Sequence, residues 1–134
     1  MTVPDRHSIL IVEDEPLLRV DTVDMVEDEE FTAHEAASAD AALRFLESNS
    51  DITVMCTDID MPGPMDGLGL AMEVRKRWPN IAIVVVSVHH RPTQDDIPYE
   101  GRFVPKPYVK AAIMRALKET IKNTPQTDSL IENQ

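Results

Sequence analysis

Two adjacent carboxylates at Glu13-Asp14, a third at Asp58 and an ammonium at Lys106 are the side chains of this sequence equipped to do chemistry together. Short apolar runs stand ahead of each. Ser8-Ile9-Leu10-Ile11-Val12 precedes the acidic pair, Ile52 to Thr57 precedes Asp58, and Phe103-Val104 precedes Pro105-Lys106-Pro107. In an open α/β sheet, ligands bind beyond the carboxyl ends of the strands, at a topological switch point. If these runs are parallel strands, three carboxylates and one lysine converge on one edge. A carboxylate can attack phosphorus only when its own negative charge is offset. Glu13, Asp14 and Asp58 form a hard oxygen site suited to Mg²⁺ (Mn²⁺ is the natural substitute), which retains waters and bridges to phosphate. Lys106 would place a compact positive charge on phosphoryl oxygens. The chemistry this predicts is phosphoryl transfer, with Asp58 as the acceptor.

Elements able to position these groups are legible in the periodicity. Ser8 to Val12 is apolar throughout, as expected of a strand buried on both faces. Pro16 suits the first turn of a helix, on which Leu18, Thr22, Met25 and Val26 share one face. A strand around Thr32 to Ala36 follows, and Ser38 caps a helix whose inner face carries Ala39, Ala42, Leu43 and Leu46. The third strand, Ile52 to Thr57, is closed by Asp58. A Gly/Pro loop from Asp60 to Gly67 leads to a helix with Leu70, Ala71, Val74 and Trp78 inward, stopped at Pro79-Asn80. Ile81 to Val86 is the strongest strand signal, and Phe103-Val104 a weaker last one. Val109, Ile113, Ala116, Leu117 and Ile121 mark a final amphipathic helix. Pro92 and Pro98 leave the segment after Ser87 room for only about one or two helical turns. Alternating strands and helices imply right-handed crossovers and a three-layer parallel sheet. Residues 8–123 are read as one domain, with an N-terminal extension at 1–7 and a polar tail at 124–134.

Composition narrows the function classes. A length of 134 residues with 43% hydrophobic content suits one packed domain. The formal charge of −11 argues against broad nucleic-acid binding, which relies on Lys and Arg neutralising phosphates. No apolar segment approaches the roughly 20 residues of a membrane span, and the N-terminus lacks the regions of a secretory signal. With Cys56 the single cysteine, no internal disulfide is available; the expected setting is cytoplasmic, with no membrane or nucleic-acid partner. His7, His34, His89 and His90 are not spaced as a metal site.

At this point the sequence resembles the receiver domain of two-component response regulators. The residues that carry the resemblance are Glu13-Asp14, Asp58 with Met61-Pro62 and Met65-Asp66-Gly67, Ser87, and Lys106-Pro107. Any one of them is weak; together, in order and on the right element ends, they are specific. The resemblance implies a flavodoxin-like α/β sandwich with a five-stranded parallel sheet in the order 2-1-3-4-5, Mg²⁺ dependence, and a histidine kinase or phosphotransfer protein as phosphodonor. It implies that Asp14 ligates the metal directly, Glu13 acts mainly through water, and Asp60 contributes its backbone carbonyl. It also implies that Lys106 and Ser87 contact the phosphoryl group, and that Ser87 and Phe103 are switch residues. The protein would catalyse only its own phosphorylation and slow dephosphorylation, and would signal through protein contacts, including a phosphorylation-dependent homodimer. Thr57 to Gly63 and Lys106-Pro107-Tyr108 are similar to those of stand-alone receivers known from α-proteobacteria. If this is the whole gene product, no room is left for an output domain.

Departures from the pattern and rival readings stand beside this one. The loop Met61 to Gly67 has one residue more than the commonest form, bulky Val88 follows Ser87, and the fourth helix is short or irregular. Glu13-Asp14 could merely favour a helix N-terminus, Lys106 could be a solvated loop lysine, Ser87 a strand-end cap and Phe103 a core residue. Asp58-Ile59-Asp60 also resembles the paired aspartates of haloacid-dehalogenase-type phosphohydrolases, although those follow a first strand. A phosphate sink and a pseudo-receiver that is never phosphorylated complete the alternatives.

Overall fold

The computed structural model describes residues 7–29, 31–88, 92–98, 101–105 and 115–119. Its elements run β1 (Ser8–Val12), α1 (Pro16–Asp28), β2 (Thr32–Ala36), α2 (Ala39–Ser48), β3 (Ile52–Asp58), α3 (Gly67–Arg77), β4 (Ala82–Ser87), a single 3₁₀ turn (Gln94–Asp96) and β5 (Arg102–Pro105). Residues 115–119 are helical. The strands form one sheet in the order β2-β1-β3-β4-β5, with every neighbouring pair parallel. This is the predicted order. The expected irregular fourth helix is represented, among the described residues, by the 3₁₀ turn alone, where Asp96 accepts from the Thr93 amide and hydroxyl.

Two-residue periodicity divides the strands between two cores. Leu10, Val12, Met55, Ile83 and Val85 pack with Ala42 and Leu46 of α2 and with Leu70, Ala71 and Val74 of α3. Ile9, Ile11, Val54, Cys56, Ala82, Val84 and Val86 pack on the other face with Val26 of α1 and with Ala116 and Leu117. The helices therefore cover both faces of the sheet, as right-handed crossovers require. Cys56 is buried in the second core, as its place in an apolar run suggests.

One sequence expectation needs correcting. Leu18 does not join Thr22 and Val26 on the buried face of α1; it is 43% exposed, and Leu17 beside it is 76% exposed. The first turn of α1 follows closely on the end of β1, and Leu18 packs into neither core. Trp78 closes α3 rather than sitting in it, half-buried, with the Arg77 guanidinium 4.4 Å from its ring centroid. Val109, Ile113 and Ile121 lie outside the described residues.

Candidate functional site

The carboxyl ends of β1, β3 and β4 lie side by side because the register sets them there: Val12 pairs with Thr57, and Asp58 with Val86. Glu13 and Asp14 leave β1 at that edge, Asp58 is the last residue of β3, and Ser87 the last of β4. Ser87 in turn pairs with Pro105, the end of β5. Lys106, the next residue, lies outside the described residues.

Glu13, Asp14 and Asp58 each present a carboxylate oxygen within 4.8 Å of the others. Glu13 and Asp58 are only 5% and 6% exposed, and Asp14 is half-buried. Bringing three anionic groups so close, two of them nearly out of water, costs free energy unless a positive charge is shared among them. An all-oxygen, all-carboxylate donor set is what Mg²⁺ or Mn²⁺ takes and what a soft metal does not. The residues present fit a divalent cation.

Local hydrogen bonds show why the acidic pair is not used as a helix cap. That task falls to Glu15, whose Oε1 accepts from the Leu17 and Leu18 amides at 2.9 and 3.4 Å. Glu13 is held instead from two directions: its Oε2 accepts from the Glu15 amide at 3.1 Å, and its carbonyl accepts from Arg19 at 2.8 Å. Arg19 also donates to Glu35 at 2.9 Å, tying α1 to the end of β2. Arg19 does not stand out in the sequence, because its contact with Glu35 is a tertiary placement that no local pattern encodes; Glu15, directly ahead of Pro16, is a local cap.

Behind Asp58, α3 begins in direct contact with the backbone of β3. A β-carbon on Gly67 would lie 2.6 Å from the Asp58 carbonyl carbon and 2.7 Å from Ile59 Cα, and would overlap the Asp58 oxygen. The Gly67 amide donates to the Ile59 carbonyl at 2.9 Å, and Asp66 caps the helix through the Gly69 amide at 2.9 Å. The Asp-Gly pair thus starts the helix and admits it close to the strand. The preceding loop turns through Gly63 at φ 105°. With residues of α2 it borders a hollow of about 300 Å³, lined by Leu43, Pro62, Pro64 and Met65 among others.

Asp60 sits two residues past the strand. Its amide donates to Asp58 Oδ1 at 3.3 Å, and its Oδ2 accepts from the fully buried Ser87 hydroxyl at 2.8 Å. The expectation assigned Asp60 only a backbone carbonyl; its side-chain partner was missed. Phe103 stands opposite Val85 on β5, half-buried against the core that α2 and α3 share. His7 is engaged with Thr53, and His34 lies against the Phe45 ring; His89 and His90 are outside the described residues.

The family model of the response regulator receiver domain matches residues 9–118. The chain belongs to this family. Among curated proteins, the receiver is 31% identical over 119 residues to the sensor kinase CckA of Brucella abortus, covering 86% of this chain and 12% of that protein. The chain thus spans about an eighth of that relative's length. Among solved structures, it matches a response regulator receiver protein from Sinorhizobium medicae with a TM-score of 0.79 at 25% identity, covering 90% of this chain and 98% of the other. It also matches NtrX from Brucella abortus with a TM-score of 0.82 at 22% identity, over 97% of this chain and 30% of NtrX; that likeness speaks for the fold. The receiver is a signalling domain with an acidic group able to hold a metal. No helix among the described residues is long and apolar enough to cross a membrane.

Proposed function

We propose that the receiver takes a phosphoryl group on Asp58 from a phosphohistidine of a sensor histidine kinase or phosphotransfer protein, and that its altered surface is read by a downstream protein. The observation that carries this reading is the closeness of the Glu13, Asp14 and Asp58 carboxylates at the carboxyl ends of β1 and β3. An Asp58 oxygen bonds to phosphorus as the phosphorus–nitrogen bond breaks, and the departing imidazole keeps the electron pair and gains a proton from solvent. The product is a mixed anhydride, which water reopens slowly. Glu13, Asp14, Asp58 and the Asp60 carbonyl would hold Mg²⁺, which supplies charge neutralisation for two anions that must approach one another. Lys106 would offset the phosphoryl charge and Ser87 would donate to one of its oxygens, so the chain contributes mainly positioning and electrostatic stabilisation. Phe103, on the strand beside Ser87, is the residue we assign to relay the change.

Leu17 and Leu18 support a protein as the phosphodonor. They place exposed apolar surface on the first turn of α1, immediately after the acidic pair. A partner that brings a phosphohistidine to Asp58 would cover them. The name of the Brucella relative, a sensor kinase, agrees with such a partner.

Labelling with acetyl phosphate and Mg²⁺ tests the assignment. One stoichiometric label, lost in Asp58→Asn and on chelation, supports it. Steady turnover of p-nitrophenyl phosphate would instead indicate a phosphohydrolase. A protein that takes no label from acetyl phosphate or from any histidine kinase would be a pseudo-receiver.

A further inference from the structure

The side chain of Asp60 is not needed for a backbone-carbonyl metal ligand, yet it is engaged. Its Oδ2 accepts from Ser87 Oγ at 2.8 Å, a contact between residues 27 apart that joins the loop after β3 to the end of β4. Ser87 is fully buried and Asp60 half-buried, so water competes little for the bond at its serine end. A hydroxyl has one proton to donate. A hydrogen bond to a carboxylate is stronger than one to a neutral acceptor. Any second anion that needs the Ser87 proton must therefore take it from Asp60.

Asp60 is tied to Asp58 as well, since its amide donates to Asp58 Oδ1 at 3.3 Å. One residue thus spans the acceptor carboxylate through its main chain and the buried hydroxyl through its side chain. We infer that Asp60 is a latch: its carboxylate holds the Ser87 hydroxyl in the unphosphorylated protein, and a phosphoryl group on Asp58 must displace it. This rests on the phosphoacceptor reading above. A phosphoryl group acts on the latch twice, by competing for the proton and by repelling the neighbouring carboxylate. The Ser87 hydroxyl then changes partners, and the Asp60 loop is released from the end of β4. In this receiver Asp60 is a positioning residue that opposes the phosphorylated state.

Beryllofluoride with Mg²⁺, which stands in for the phosphoryl group on a carboxylate, measures the opposition by calorimetric titration. Asp60→Ala removes the competing acceptor and should tighten binding about ten-fold, the scale of a charge-assisted hydrogen bond. Removing a negative charge would also help an anion bind, so the same substitution is made in Ser87→Ala. There the Asp60–Ser87 bond is already absent and the effects of the lost charge and of any other Asp60 contact remain, so the gain should shrink to about two-fold. Asp60→Asn, close in shape, keeps a weaker acceptor and should fall between wild type and Asp60→Ala; it also carries the test if Asp60→Ala folds poorly. In metal-free protein, Asp60→Asn should shift the Ser87 β-carbon resonance. Equal gains with and without the Ser87 hydroxyl, or no gain at Asp60→Ala, would overturn the latch while leaving Asp58 as acceptor. Wild-type protein that neither binds beryllofluoride nor takes label at Asp58 would overturn the phosphoacceptor reading, and the latch with it.

Discussion

Gly67 at the start of α3 rests against the backbone of Asp58, with no space between them for a β-carbon. The helix start and the acceptor aspartate therefore cannot be moved independently. Gly67→Ala should destabilise the protein by about 2–3 kcal/mol, as overpacking does, because backbone rather than a flexible side chain must give way. Gly63→Ala is the matched control. Gly63 has a positive φ but nothing near its missing β-carbon, so the expected cost is about 1–2 kcal/mol from backbone strain alone. Urea denaturation reports both costs, and acetyl phosphate labelling should be impaired only in Gly67→Ala.

Mutual repulsion among Glu13, Asp14 and Asp58 predicts opposite effects of one substitution on stability and on metal binding. Asp14→Asn removes a charge from a crowded anionic group and should stabilise metal-free protein by about 1 kcal/mol. It should also weaken Mg²⁺ binding about ten-fold or more. Mg²⁺ should raise the melting temperature of wild type by mass action and have little effect on the variant. Calorimetric titration and thermal melts with and without chelator measure the two effects.

Arg19 offers a test of how the acidic loop is held. Its bond to the Glu13 carbonyl is partly buried, whereas its partner Glu35 is about half exposed and contributes little. Arg19→Ala should cost about 1.5 kcal/mol and loosen Mg²⁺ binding by letting Glu13 move. Arg19→Lys should not restore either property, because one ammonium does not reproduce the fork that reaches both oxygens. Chemical denaturation of the three proteins checks this.

The exposed pair on α1 separates phosphorylation by a small molecule from phosphorylation by a protein. Leu17→Ser with Leu18→Ser should change stability by no more than about 0.5 kcal/mol per site, as surface substitutions usually do. Labelling by acetyl phosphate should be unchanged, while transfer from a histidine kinase slows at least several-fold. Side-by-side transfer kinetics with the two donors decide it; equal rates from the kinase would remove the pair from the docking surface.

The parts of this receiver legible in its sequence are those that depend on short-range pattern. The continuous apolar runs at Ser8–Val12 and Ile81–Val86 announce strands buried on both faces, and the carboxylates that follow Val12 and Thr57 locate the site edge. Strand order followed from the family resemblance rather than from periodicity. What stayed hidden depends on where elements end relative to one another. Leu18 has the spacing of an inward residue, but it is exposed and packs into neither core. Glu15, directly ahead of Pro16, caps α1, but the approach of Glu13 and Asp14 to Asp58 is set by the turn after β1 and the β1–β3 register. The Asp60–Ser87 bond joins loops on different strands, a distance no local rule spans.

The strand order has a kinetic corollary. Glu13 and Asp14 meet Asp58 only when β1 pairs with β3, with Val12 set beside Thr57. That pairing closes a long segment of chain, the kind of contact that slows folding. Here the same closure also drives three anions together, so electrostatic resistance is added to the entropic cost of the step. A divalent cation that relieves it would therefore speed refolding as well as equip the finished site, and the metal would act as a partner in assembly before any signal arrives.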